Sequence, residues 1–527
     1  MRSMLAVLAG MSLATAAVAA PGQSEFPRSM APALPSVSPL DQAERLVIEG
    51  RAVEAEPILV DQLFAAPNGT DDAVRARLLL AQARIALGRA AEAEAPASEA
   101  LAATDAAHPW RGWALGVNVD VLTALDRPVE ALVLMEEDLA LSRRLGLDAE
   151  IRALARMGAA QLQAGRYREA SERLSDAIRA MESSRLPDAP LRLAALSQLG
   201  RSLDLQGRHG EARPHLEAAY DLAVATDGAD SLAAAQALND LGTHFNDTGD
   251  YALADESLRR ALALYELLTG PGSQQTGAAL TNLGNVHMNA GRWAAAEPYH
   301  RRALAISRDR GTDVDEAIDL TNLGWVLHKQ GHEAEAETLL ARSVALFEGS
   351  FGPDHPYTAT ARTNLAGALR VQGRCREAAP MFREVARVYA ATLEDDNPVW
   401  PFTLNGLAAC LAETGGDPAE IESLFTRALA VSWSVLSPGH PYGLEPANDY
   451  AAWLISQGRA QEASELLDRA GSALLERTVA RAGSDRTAQG ELSQFRTLFQ
   501  LRVDAGGGRA PPPPRTGPPP PGGGPRT

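Results

Sequence analysis

A turn residue that recurs at nearly constant spacing restricts the fold of this chain more than any other feature of its sequence. Eleven copies follow one another at intervals of 38 to 43 residues, most often 42, and Ala comes five residues after the turn in ten of them. From about residue 150, a small residue also precedes each turn by seven positions. Residues seven apart lie on one side of an α-helix, so each copy predicts two closely packed helices joined by a turn. The turn residues are Gly50, Gly88, Asp126, Gly165, Gly207, Gly249, Gly291, Gly331, Gly373, Gly415 and Gly458.

One helix pair of this length cannot bury its apolar face alone, but successive copies bury it by stacking on one another. The composition agrees, because a chain with 46% hydrophobic but only 5% aromatic residues suits close-packed helices better than sheets. The sequence therefore predicts an all-α fold, a right-handed superhelical solenoid of about eleven antiparallel helix pairs.

The two ends of the chain differ from the repeats. Residues 1–19 have the three parts of a secretory signal peptide: the basic Arg2, an apolar run from Met4 to Ala14, and the small residues Ala17 and Ala19. This pattern predicts a periplasmic or secreted protein without membrane insertion after cleavage; the alternative is an uncleaved apolar anchor. The predicted order is a signal peptide at 1–19, a flexible linker at 20–39, degenerate repeats at 40–145, the main repeat array at 146–475, capping helices at 476–504 and a disordered Pro/Gly-rich tail at 505–527.

The sequence contains two cysteines, Cys375 and Cys410. An even number permits a disulfide in an exported protein. Both also fall at apolar positions of adjacent repeats, where they could be two small buried residues. Spacing alone does not reveal the geometry that a bridge needs, so the sequence leaves both interpretations open.

Charge and motifs narrow the functional class. The formal net charge of −18 argues against binding to nucleic acid or to anionic membranes, which requires basic surface. The sequence has no phosphate-binding Gly loop ending in Lys and Ser or Thr, no HExxH, no paired CxxC and no GxSxG. We therefore predict a protein that is not an enzyme, has no cofactor or metal, and binds a protein or peptide. The oligomeric state stays open.

His287 and His300 are the strongest candidates for a metal site or a pH switch. Their positions around the turn Gly291 predict that they face each other across one helix pair, where the next pair carries Leu327 and Leu340. Two histidines without a third ligand form a weak metal site, so a pH switch is the better functional interpretation. The alternative is that each is a polar aromatic residue of the core.

The stretch from Thr281 to Ile306 (TNLGNVHMNAGRWAAAEPYHRRALAI) resembles the tetratricopeptide repeat. The 42-residue step, the Pro that follows the turn by seven positions (as at Pro298) and the GPDHP motif from Gly352 to Pro356 resemble the kinesin light chain subtype. The resemblance covers about residues 40–475. It implies that the first helix of each pair lines a concave surface, and that Asn at positions such as Asn282 contacts the backbone of a bound peptide.

A polar stripe runs along one of these first helices. Asn282, Asn285 and Asn289 are spaced i, i+3, i+7 and share a face. Carboxamides suit an extended peptide because each offers a donor and an acceptor, and Trp325 adds an apolar anchor. The alternative is that these residues bond neighbouring helices and hold the stack together. The predicted peptide-binding residues are Asn239, Asn282, Asn285, Asn289, Asn322, Trp325, Lys329, Asn364 and Arg370.

These observations predict a non-enzymatic scaffold that binds a peptide or protein partner in the concave groove of its repeats. Two other classes stay open: a regulatory sensor arm for a separately encoded enzyme, and a structural or assembly factor of the cell envelope.

Overall fold

The computed structural model describes residues 38–480, apart from gaps at 68, 126, 185–187, 393–396, 398 and 436–440. The signal peptide, nearly all of the linker, most of the capping segment and the Pro/Gly-rich tail lie outside the described residues and stay predictions. The chain divides into two compact units between Thr248 and Gly249. We call the described parts the N-terminal unit (38–248) and the C-terminal unit (249–480).

The described residues form 22 α-helices and no strand. The N-terminal unit contains α1 (Pro39–Ile48), α2 (Ala52–Ala65), α3 (Asp71–Ala86), α4 (Ala90–Ala102), α5 (Arg111–Ala124), α6 (Pro128–Leu145), α7 (Leu147–Gln163), α8 (Tyr167–Ser183), α9 (Ala189–Leu205), α10 (His209–Asp227) and α11 (Leu232–Thr248). The C-terminal unit contains α12 (Tyr251–Leu268), α13 (Gln274–Asn289), α14 (Trp293–Arg310), α15 (Asp313–Lys329), α16 (Glu333–Phe351), α17 (Pro356–Val371), α18 (Cys375–Thr392), α19 (Trp400–Thr414), α20 (Pro418–Val435), α21 (Pro441–Ser456) and α22 (Ala460–Ala480). The predicted all-α helical repeat solenoid is confirmed.

The recurring turn glycines end the first helices. Gly291 has a φ of 70°, in the left-handed region that a residue with a Cβ rarely adopts. Its N–H donates to the Met288 carbonyl at 2.9 Å, and the following Arg292 N–H donates to the His287 carbonyl at 2.8 Å. These two bonds satisfy carbonyls that the end of a helix leaves unpaired, which explains why Gly recurs at this position.

The small residue seven positions before the turn allows the two helices of a pair to approach each other. A Cβ added to Gly158 would lie 2.6 Å from the Leu174 side chain, and one added to Gly324 would lie 2.8 Å from Leu340. Real Cβ atoms do not come this close to a neighbouring atom, so both positions need glycine. The close helix packing predicted from the spacing is therefore confirmed at these pairs.

Polar contacts that the sequence analysis did not predict join neighbouring pairs within each unit. The residue after the turn is often Arg, and it reaches back to a Glu on the preceding second helix, as Arg374 does to Glu337 at 2.8 Å. A Gln before the turn bonds to the same preceding helix: Gln206 Nε2 donates to the Tyr167 carbonyl at 3.0 Å. Exposed ion pairs contribute little each, so these contacts define the stacking register more than they add stability.

Cys375 and Cys410 form a disulfide between the first turn of α18 and the C-terminal part of α19, with their Cα atoms 4.8 Å apart. Both cysteines are also buried in the apolar core of the C-terminal unit. The two interpretations left open by the sequence are therefore both correct: the residues are core residues and they are bonded. Among the described helices, none combines the length and the apolar character needed to cross a bilayer.

Candidate functional site

Most of the predicted peptide-binding residues lie beneath the surface. Asn282 and Asn285 on α13, Asn322 and Trp325 on α15 and Asn364 on α17 are all buried. Asn289 and Arg370 are partly exposed, and Lys329 is exposed. Asn239 is buried on α11 and belongs to the N-terminal unit. The pattern predicted an open row of carboxamides; the structure instead covers most of them, because helices of adjacent repeats pack against the stripe. Their role in peptide binding stays a prediction.

Several of these buried groups have no hydrogen-bond partner among the described residues. Neither amide atom of Asn322 has one, although this side chain has 0% exposure. The Asn285 Oδ1 and Trp325 Nε1 atoms are likewise unpaired. Leaving a buried donor or acceptor unsatisfied costs roughly 1–3 kcal/mol, so native proteins rarely do so without a reason. Asn285 lies on α13, whereas Asn322 and Trp325 lie on α15; other unpaired buried atoms lie elsewhere in the described chain, as at Ser197 and Asn405.

Asn118 shows what a structural asparagine looks like in this protein. Its Nδ2 donates to the Ala97 and Ala114 carbonyls, each at 2.8 Å, and so fastens α5 to α4. Asn322 makes no such bond within the described chain. Asn118, which is not one of the predicted site residues, therefore joins two neighbouring helices. Among the described residues, Asn322 lacks the bonds that such a structural role requires.

A long, flexible side chain covers Trp325. The Lys329 ammonium lies 4.4 Å from the centre of the Trp325 ring, a cation–π contact. Phe402 of α19 packs edge-on against the same ring, 6.1 Å away. The intervening helix α17 carries Gly367, where an added Cβ would lie 3.1 Å from the Phe402 ring. Trp325 is therefore held by Phe402 and by the His328 ring, 5.1 Å away, and Lys329 is the exposed side chain among its covers.

Arg370 is occupied by carboxylates of its own chain. Its guanidinium lies 3.3 Å from Glu445 Oε1 and 3.6 Å from Asp449 Oδ2, and Asn405 Nδ2 donates to Asp449 at 2.7 Å. Burial raises the pKa of Asp449, and the Arg370 charge opposes that shift. Arg370 was predicted to meet a peptide; in the structure its charge is balanced internally, between α17 and α21.

His300 is a packing residue. A Cβ added to Gly284 would lie 2.4 Å from the His300 ring, the same contact that Leu340 makes with Gly324. Its Nε2 lies 3.0 Å from the Met288 sulfur, and its Nδ1 has no partner among the described residues. Burial lowers the pKa of His300 to about 3.

His287 stacks on Tyr299, with ring centres 5.3 Å apart, and its Nε2 lies 3.3 Å from Asp255 Oδ1. Burial lowers the pKa of His287 as well. Both histidines therefore resemble the polar aromatic core residues of the alternative interpretation.

A small cleft between α13, α14 and α15 surrounds another buried carboxylate. Asp319 accepts a hydrogen bond from Thr281 Oγ1 at 2.9 Å, and burial raises its pKa to about 7. Ser307 and Arg310 also line the cleft. Asp319 thus bonds α15 to α13, and the cleft is too small to hold a peptide.

The N-terminal unit brings together three potential metal ligands that the sequence analysis did not single out. Asp204 ends α9, His209 begins α10 and His244 lies on α11. His209 Nδ1 lies 2.9 Å from Asp204 Oδ1, and His244 Nδ1 lies 2.9 Å from the same oxygen. In the sequence, this group becomes visible when residues at equivalent positions of different repeats are compared.

Comparison with known proteins identifies the repeats. A sequence profile described as tetratricopeptide repeat matches residues 191–266, 275–349 and 333–391, and a second tetratricopeptide repeat profile matches residues 74–95. No curated protein matches the chain in sequence.

Solved structures with a similar fold include BtubC (BKLC) from P. vanneervenii, with 22% identity, 43% of this chain and 92% of that chain covered, and a TM-score of 0.37. A putative kinesin light chain of Podosopora anserina has 19% identity, covers 38% of this chain and 95% of its own, and has a TM-score of 0.32. A Rap protein complexed with Competence and Sporulation Factor has 12% identity, 89% and 98% coverage and a TM-score of 0.41. The chain therefore contains tetratricopeptide repeats over residues 191–266 and 275–391, and their common step of 42 residues is typical of repeats of the kinesin light chain-like type.

Proposed function

We propose that this protein is a non-enzymatic scaffold that binds an extended peptide segment of a partner protein on the first helices α13, α15 and α17. One observation carries the proposal: the unpaired polar atoms of Asn285, Asn322 and Trp325. A tetratricopeptide repeat array is an interaction scaffold, and backbone N–H and C=O groups of a peptide are the partners that carboxamides lack here.

Binding begins at the exposed residues of this surface. Asn289 and Lys329 meet the peptide first, and Lys329 moves off the Trp325 ring. An apolar side chain of the peptide then takes its place on Trp325, which Phe402 holds in position. Peptide backbone groups reach the buried Asn322 and Asn285 as the helices that cover them move apart. The net charge of −18 favours a neutral or basic segment.

Asn322→Leu is expected to stabilise the protein and to abolish partner binding. Leu has the same number of side-chain heavy atoms with the same branching, and it removes two buried polar atoms that have no partner, which gains roughly 1–3 kcal/mol. The same change removes the groups that would bond the peptide backbone. Urea unfolding followed by circular dichroism measures the first effect. Affinity capture from an extract of the source cells, with quantitative mass spectrometry of what is bound, measures the second.

Two matched variants complete this test. Asn118→Leu removes a fully bonded buried asparagine and is expected to lower stability, because two carbonyls lose their donor. Arg301→Ala, on the second helix α14 of the repeat that contains α13, is expected to keep the captured partners at wild-type level. If Asn322→Leu lowers stability, Asn322 helps to hold neighbouring repeats together. If this variant captures partners as well as the wild type does, the partners do not bind at Asn322 between α13 and α15.

We also propose that the protein is exported to the periplasm or secreted. The signal-like N-terminus and the Cys375–Cys410 bond both support this, since disulfides persist in oxidising compartments. Cells are lysed in the presence of a reagent that alkylates free thiols, and are then fractionated. The protein is expected outside the cytosol, shortened by loss of its signal peptide and not alkylated because its two cysteines are bonded. Full-length, alkylated protein confined to the cytosol contradicts the proposal.

A further inference from the structure

We propose that Asp204, His209 and His244 form a binding site for one zinc-type divalent ion. The ligand atoms come from three successive helices of the N-terminal unit, and they all lie within 4.8 Å of one another. His244 Nδ1 lies 2.9 Å and 3.0 Å from the two Asp204 oxygens, and His209 Nδ1 lies 2.9 Å from one of them. Each of the three side chains therefore already points at the same small volume.

These distances are close to those of a metal site. Ligands that bind Zn²⁺ tetrahedrally at about 2.0–2.1 Å lie roughly 3.3 Å apart. To admit the ion, the nitrogen–oxygen distances at Asp204 need to open by a few tenths of an ångström, and the two imidazole nitrogens, at most 4.8 Å apart, need to approach the same value. Both Nδ1 atoms lie within hydrogen-bond distance of Asp204, and each ring binds the ion through the same Nδ1 once its proton is on Nε2.

The repeat register supplies a second, independent observation. His209 follows its turn glycine by two residues, and His244 precedes the next turn glycine by five. Cys375 and Cys410 occupy the same two positions in a later repeat, with the same separation of 35 residues, and they form a covalent bond. The fold therefore brings these two register positions within bonding distance. One repeat uses them for a disulfide, and the other places two imidazoles there beside a carboxylate.

The third position also recurs. Asp204 lies three residues before its turn and contacts His209, two residues after it. At the same two positions of another repeat, His328 Nδ1 and Glu333 Oε2 lie 2.8 Å apart. That repeat has Glu333 in the position of His209 and Ala368 in the position of His244, so it holds only two ligands. Among the described residues, a complete set of three metal-ligand side chains occurs at Asp204, His209 and His244.

The ligand types select the ion. Two imidazoles and one carboxylate suit zinc and its neighbours in the first transition row, whereas Mg²⁺ and Ca²⁺ prefer a shell of oxygen ligands. Three protein ligands leave a fourth position for water or an external ligand. His209 keeps 35% of its side-chain exposure while Asp204 and His244 are largely buried, so the ion enters from the His209 side. Once bound, it ties α9, α10 and α11 together.

The full-length protein without an affinity tag, treated with a chelator and dialysed, tests the site by titration with Co²⁺ and then Zn²⁺. We expect one Co²⁺ per chain, with the visible absorption of a four-coordinate complex that Zn²⁺ then displaces. His209→Ala is expected to weaken Co²⁺ binding at least tenfold. Zn²⁺ is also expected to raise the melting temperature of the wild type and not of this variant.

His215→Ala provides the matched control, because His215 lies on the same helix α10 and outside the cluster. It is expected to bind Co²⁺ as the wild type does. Asp204→Asn adds a variant of nearly the same shape in case His209→Ala does not fold, and it too is expected to lose the spectrum. A wild type without a Co²⁺ spectrum, or equal affinities in wild type and both ligand variants, would overturn the proposal and leave a hydrogen-bonded His–Asp–His cluster.

Discussion

Loss of the Cys375–Cys410 bond is expected to lower the free energy of unfolding by about 4 kcal/mol, the value for a crosslink that closes a loop of this length. The sequence separation is 35 residues, and the loop contains α18 together with most of α19. Without the bond, the unfolded chain regains the conformational freedom of this loop, whereas the buried packing of the two helices changes little. The loss of hydrogen-exchange protection is therefore expected to be largest where α18 and α19 meet.

Two measurements test this expectation. Urea unfolding compares the oxidised wild type with the Cys375→Ala/Cys410→Ala variant, and hydrogen exchange shows whether α18 and α19 lose protection first. Dithiothreitol serves as an internal control because the chain has two cysteines in all: it should weaken the wild type and leave the variant unchanged. Equal unfolding midpoints for the oxidised and reduced wild type would show that the bond does not restrict the unfolded chain.

The sequence predicted the repeating architecture well because its causes are local. Gly291 ends a helix through its own backbone conformation, and Gly324 is small because Leu340, sixteen residues later, packs on it. Both effects arise within one helix pair and repeat with the period of the chain. A periodic sequence therefore reveals the helix pairs, the turns and the residues at which the two helices touch.

The candidate sites depend on contacts between repeats, which a single sequence reveals less well. Asn282, Asn285 and Asn289 all lie on α13, but the burial of this stripe depends on how neighbouring helices pack over it. The same holds for His209 and His244, which are 35 residues apart. Aligning the repeats on their turns, with the cysteine pair as a guide, would have placed these two histidines side by side.

His300→Leu is expected to stabilise the protein, and by a larger amount at acid pH. Three other helix pairs place a Leu against the equivalent glycine, at Leu174, Leu216 and Leu340, so Leu fits this position, and the change removes an imidazole nitrogen without a partner. At neutral pH this gains about 1 kcal/mol. At lower pH the unfolded imidazole takes up a proton near its usual pKa of 6.5, whereas the buried ring stays neutral until about pH 3.

Protonation of the unfolded chain therefore costs the wild type stability as the pH falls below 6.5, and the loss ends only below about pH 3. For His300 this loss amounts to about 2 kcal/mol at pH 5, and His300→Leu does not suffer it. Urea unfolding of both proteins at pH 7.5 and pH 5 measures the difference, in which the contributions of all other titrating groups cancel. His332→Leu, which replaces an exposed histidine, controls for the loss of a histidine as such. A stability difference between His300→Leu and the wild type that stays constant with pH would mean that the folded protein can protonate His300, and hence that water reaches the interface of α13 and α14.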